Sequence, residues 1–124
     1  IIGFIAQARI MLFTSLKPSK DIDAVARKVI SDAGYAKNFG HGLGHGFGLE
    51  IHEEPRFSPL AKANIEVGQT YTVEPGIYLP GWGGIRIEDS YLITKNGVHK
   101  FTNFPNELIE LDLQSVEEAA DEIE

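Results

Sequence analysis

Between Gly40 and Gly48 every second residue is glycine, and this run constrains the fold more than any other stretch of the 124-residue chain. Glycine costs a helix on the order of 1 kcal/mol per position relative to alanine, so the segment is read as extended. Successive side chains of an extended chain point to opposite faces. His41, Leu43, His45, Phe47 and Leu49 then line one face, while the glycines leave the other bare for close approach. On a helix, the spacing of His41 and His45 would let both bind one zinc ion, as in H-E-x-x-H. Extended, it sets them ~13 Å apart. At most one is then a ligand of a given ion, and two histidines hydrogen-bonded in a glycine-rich loop are an equally good reading of this stretch alone.

Two glutamates add to the constraint. Residues 70–79 and 84–94 are rich in Thr, Tyr, Val and Ile and read as strands, joined by Leu79-Pro80-Gly81-Trp82-Gly83-Gly84. A hairpin centred on Gly81 places Glu74 and Glu88 opposite each other, with Cβ atoms ~5 Å apart. Like charges so placed persist if one is protonated or if a cation lies between them. One imidazole and two carboxylates suit a divalent ion such as Mn, Co, Fe or Zn. The plainer alternative is that Arg86 neutralises Glu88 on a solvated face.

The motifs His41-Gly42-Leu43-Gly44-His45, Glu50-Ile51-His52-Glu53, Val73-Glu74-Pro75-Gly76 and Gly84-Ile85-Arg86-Ile87-Glu88-Asp89 closely resemble the Xaa-Pro dipeptidases (prolidases) and Xaa-Pro aminopeptidases of the pita-bread metallopeptidases. The match runs in order from about Thr14 to Leu111. The resemblance implies His45, Glu74 and Glu88 as metal ligands, with Glu74 also handling the proton of the attacking water. It implies substrate and intermediate contacts for His41 and His52, and a buttressing or carboxylate-binding role for Arg86. It further implies two divalent ions, manganese first, with Co, Zn or Fe as alternatives. The implied partner is a peptide substrate with proline at its second position, and the implied assembly is a homodimer in the cytoplasm. Two aspartate ligands of such a site belong upstream, so the chain is expected to be a C-terminal piece, inactive alone. Asp21 and Asp32 flank a helical pattern and are not read as those ligands.

The remaining chain supports one domain over residues 1–111 and an acidic tail over residues 112–124. At this length a domain buries about two thirds of its surface. Absence of cysteine removes thiolate sites and fits a reducing compartment. The tail has six acids and no base, so of the net charge of −7 the body keeps about −1. No basic patch for nucleic acid is evident. The opening segment Ile1–Phe13 reads as a buried helix rather than a membrane span, since Gln7 and Arg9 interrupt it. A second helix, capped by Asp21, carries the apolar stripe Ile22, Val25, Ala26, Val29 and Ala33 and stops at Gly34. Arg56 to Gly68 reads as a loop, and Glu50, Glu53 and Glu54 as solvated charges, with orientation of His52 the alternative for Glu53. Asn96-Gly97 signals a second hairpin bearing a surface His99.

The expected fold is α+β, a curved antiparallel sheet with helices on one face, the C-terminal half of a pita-bread (creatinase/aminopeptidase-like) domain. Two rivals remain from this reading: a non-catalytic peptide-binding module of the same fold, and a creatinase-like amidinohydrolase that works without metal.

Overall fold

The computed structural model describes residues 18–110. The expected first helix over Ile1–Phe13 and the acidic tail lie outside the described residues. In chain order come helix α1 (Ser19–Asp32), a 3-10 turn (Ala36–Asn38), and strands β1 (Gly44–Gly46), β2 (Glu53–Phe57), β3 (Thr70–Val73), β4 (Gly76–Leu79), β5 (Gly83–Arg86), β6 (Asp89–Thr94) and β7 (Gly97–Lys100). Five strands form one antiparallel sheet in the order β2-β1-β3-β6-β7, and β4 pairs with β5.

Helix α1 starts earlier than Asp21 suggests. Pro18 stands at the N-cap with φ −53°, and no side chain caps the helix. Proline pre-sets the helical φ, and the Ser19 N–H is satisfied by the Ala63 carbonyl at 3.1 Å. Asp21 instead sits in the first turn, where its charge complements the helix dipole. The far end closes as expected at Gly34, with φ +89°. Gly34 N–H donates to Ser31 O at 2.9 Å and Tyr35 N–H to Ile30 O at 3.0 Å, the doubled closure of a Schellman turn. Gly34→Ala forces a Cβ into left-handed backbone and should cost about 1 kcal/mol, read as a lower denaturation midpoint at unchanged slope.

The inward face of α1 is Ile22, Ala26 and Ile30, with Asp23 buried beside them and Val25 and Val29 partly covered. They meet Phe39, Leu43, Phe57, Tyr71, Val73, Ile77, Tyr91 and Ile93 in one core. Phe57 pairs with Gly44 and Tyr71 with Gly46. Directly opposed residues share a face, so the two rings meet with centroids 4.7 Å apart across a strand that has no side chain in their way. Burial of Tyr71, with Tyr91 beside it, pushes its phenol pKa far up.

Two expectations need correction. Arg56 to Gly68 is not all loop, because β2 reaches Phe57. Pro55 concealed that strand, since proline is confined to edges and bulges; here β2 is the edge strand, and its register with β1 slips between His45 and Gly46. The one-faced array of alternate residues also ends early. Beyond Gly46 the chain bends, leaving Leu43 buried, Phe47 half-buried and Leu49 fully exposed.

The long hairpin is interrupted rather than continuous. β3 pairs with β6 from Thr70↔Leu92 to Val73↔Asp89, and β4 with β5 from Gly76↔Arg86 to Leu79↔Gly83, every pair centred on Gly81. Pro75, lacking an N–H, breaks the ladder between them, though Ile87 N–H still reaches the Pro75 carbonyl at 3.3 Å. Glu74 and Glu88 occupy the opposed positions inside that gap.

Candidate metal centre

β1 and β3 lie side by side and place His45 next to Glu74. The His45 Nδ1 is 2.8 Å from the Gly46 carbonyl. A carbonyl only accepts, so Nδ1 carries the proton and a neutral ring keeps its lone pair on Nε2. Nε2 lies 3.2 Å from Glu74 Oε1. A lone pair and a carboxylate oxygen repel at that distance unless a proton or a cation joins them. Imidazoles that bind metals are oriented in this same way, through the other ring N–H on a carbonyl. The donor chemistry of the pair therefore fits a divalent ion.

Thr72 fixes the pair in register. Its hydroxyl accepts the His45 backbone N–H at 3.1 Å and donates to Glu74 Oε1 at 2.9 Å. The Glu74 backbone N–H donates to Leu43 O at 2.8 Å, so the residue is held from both sides.

Arg86 Nε stands 3.9 Å from Glu74 Oε2 and 3.7 Å from Glu88 Oε2. Its side chain is 50% exposed, so these contacts add little stability; they offset the repulsion of two facing carboxylates. The Arg86 pKa is raised first by a hydrogen bond with Tyr78 and then by the nearby negative groups, Glu74 and Glu88 included. Arg86 thus links Glu88 to Glu74, which in turn meets His45. Among the described residues, no three His, Asp or Glu side chains converge as around an ion.

His41 has a separate place. Its Nδ1 donates to the Gly42 carbonyl at 2.7 Å, leaving Nε2 to accept from the Tyr78 hydroxyl at 2.8 Å. His52 stacks edge-on against His45 with ring centroids 4.3 Å apart. Glu53 does not turn to His52: its carboxylate accepts the Glu50 N–H at 2.9 Å, closing the bend that carries His52. His41, His45, His52, Arg56, Glu74 and Arg86 all line one cleft of about 460 Å³. Glu88 lines a neighbouring cleft that shares Arg86.

Arg56 and Tyr78 were missed from sequence. Arg56 pairs directly with His45 across the β1–β2 ladder, but no signal pointed to it once β2 was taken for loop. Tyr78 shares the parity of Glu74 and Gly76 along one strand run, and that period of two was available to find it. Asp21 and Asp32 are exposed on α1, Asp32 paired with Lys28 at 2.7 Å. His99 is exposed on the β6–β7 hairpin.

The chain is 45% identical over 112 residues to an Xaa-Pro dipeptidase of Pyrococcus horikoshii, covering 88% of this chain and 32% of that one. It thus spans about a third of the length of that relative. The solved Xaa-Pro dipeptidase from Bacillus anthracis superposes with a TM-score of 0.84 at 40% identity, over 90% of this chain and 32% of that one. An X-prolyl aminopeptidase from Caenorhabditis elegans, described as a cytosolic enzyme with a di-nuclear active site, gives 0.63 at 30% identity, over 72% of this chain and 15% of that one. The antiparallel sheet with its helix is the C-terminal half of the pita-bread fold. Among the described residues no helix is long and apolar enough to cross a membrane. Residues 4–95 match metallopeptidase family M24, and the chain belongs to that family.

Proposed function

We propose that the whole protein bearing this chain is a metal-dependent exopeptidase that hydrolyses the Xaa-Pro bond of dipeptides. The observation that carries this reading is the 3.2 Å approach of His45 Nε2 to Glu74 Oε1 at the wall of a cleft that also holds His41 and His52. His45, Glu74 and Glu88 are the residues to hold divalent ions, for which imidazole with carboxylates is a suitable donor set, manganese being the one that the family resemblance implies. Such ions supply Lewis acidity for water activation and carbonyl polarisation.

The chain's own groups divide the remaining work. Glu74 is 13% exposed and hydrogen-bonded by Thr72 at Oε1, while Oε2 has only the 3.9 Å approach of Arg86 Nε and can take a proton from an attacking water. His41, oriented by Gly42 and Tyr78, presents an imidazole to the substrate side of the cleft. His52 lines the same cleft, edge-on to His45. Arg86 is engaged by two glutamates, whereas Arg56 makes only a loose 3.8 Å contact with Glu54. Arg56 is therefore the cation for the free carboxylate of a dipeptide, which is why a dipeptidase is preferred to an aminopeptidase acting on longer chains.

The test is turnover of an Xaa-Pro dipeptide by the whole protein with Mn²⁺, against the same dipeptide ending in alanine. Hydrolysis should require the ion and proline; no hydrolysis, or turnover that survives chelation, overturns the proposal. Arg56→Ala should raise KM for the dipeptide roughly 10- to 100-fold, the value of one hydrogen bond to a charged group, while leaving a longer Xaa-Pro peptide unaffected.

A further inference from the structure

We propose that Asp23 and Arg27, on α1 and outside the cleft, are positioning residues that set His41 and Glu74 through the backbone. Resting on the peptidase reading for what those two side chains do, the inference itself comes from hydrogen bonds. Asp23 is 1% exposed, a carboxylate buried in an apolar helix face. It receives Arg27 Nε at 2.8 Å and Nη2 at 3.0 Å, a two-point contact across one helical turn. With the Arg27 side chain 29% exposed, the pair itself stabilises little, so its use lies in what else it holds.

The guanidinium holds the loop that carries His41. Arg27 Nη1 donates to Phe39 O at 3.0 Å and Nη2 to His41 O at 2.8 Å, while its plane lies 4.4 Å from the Phe39 ring centroid. Phe39 in turn meets the His41 ring edge-on at 5.1 Å. One planar fork therefore fixes two carbonyls two residues apart and the ring that flanks the imidazole. Asp23 extends the same control to the metal side: its Oδ1 accepts the Leu43 N–H at 3.1 Å, and Leu43 O accepts the Glu74 N–H at 2.8 Å. A single helix turn thus places the backbone of a substrate-side histidine and of a ligand glutamate relative to each other. Lysine retains the charge for Asp23 but, as a point donor, does not span both carbonyls.

The experiment uses the whole protein with Arg27→Lys, and Arg27→Gln as a second variant that keeps polarity without charge. A displacement of about 1 Å at a site costs on the order of 100-fold, so kcat for an Xaa-Pro dipeptide should fall roughly 10- to 100-fold with KM within about threefold. In a His41→Ala background the same change should cost less than in the wild-type background, because the route through His41 is gone and only the one through Leu43 to Glu74 remains. Equal losses in both backgrounds would overturn the proposal. The ring ¹H–¹⁵N signals of His41 at fixed pH give a readout that needs no activity. They should move in both variants while those of the exposed His99 stay. Unmoved His41 signals sink the positioning role even if the protein proves not to cleave Xaa-Pro peptides; moved signals without peptidase activity sink the functional reading instead.

Discussion

Glu74→Gln in the whole protein is expected to lower turnover of an Xaa-Pro dipeptide by roughly 10³-fold, the scale of a lost proton-handling group, with the fold intact. Glutamine matches the carboxylate in size and still accepts the Thr72 hydroxyl that donates to Glu74 Oε1. The Glu74 backbone N–H bond to Leu43 O is untouched. What changes is charge: the amide neither takes a proton from water nor balances a cation facing His45 Nε2. Metal content should fall with activity, and the thermal midpoint in the absence of metal should stay within a few degrees. Activity near the wild-type level would remove Glu74 from the chemistry. Full metal occupancy with no activity would keep it as proton handler and remove it as ligand.

The register of the glutamates was legible in sequence because it is symmetric about Gly81. Pairing runs equidistant from that residue on both sides of the Pro75 break, so the interruption of the ladder did not shift it. The second hairpin was legible from the Asn96-Gly97 dipeptide: Lys95 and Asn96 make the turn, and Gly97, with φ +134°, opens β7 opposite Thr94. What was not legible depended on residues far apart in the chain. Asp23 and Arg27 carry no signal in the helical pattern, and their partners come only with the return of the chain at Phe39 to Leu43. Arg56 is opposite His45 only because β2 survives its own proline by slipping register. Of the two glutamates, Arg86 was paired with Glu88, yet it stands beside both carboxylates.

The glycine run that first excluded a helix separates into unequal positions, and this gives the sharpest stability contrast in the chain. A Cβ at Gly44 would lie 2.0 Å from the Thr72 carbonyl oxygen, and one at Gly46 would lie 2.4 Å from the Glu54 carbonyl oxygen. Both obstacles are backbone of neighbouring strands, so neither yields by a rotamer change. At Gly40 a Cβ meets nothing within 4 Å. Gly40→Ala should therefore be neutral within about 0.5 kcal/mol, as for most surface changes. Gly44→Ala must pry β1 from β3, and should cost about 3 kcal/mol or more, the upper end of overpacking. The same separation lengthens the bond from His45 N–H to Thr72 Oγ1, now 3.1 Å, and takes His45 away from Glu74. Stability and metal binding should then fall together in Gly44→Ala and in neither respect in Gly40→Ala. Denaturant titration with metal binding measured on both variants checks this, and equal behaviour of the two would mean that the alternation serves only to keep the segment extended.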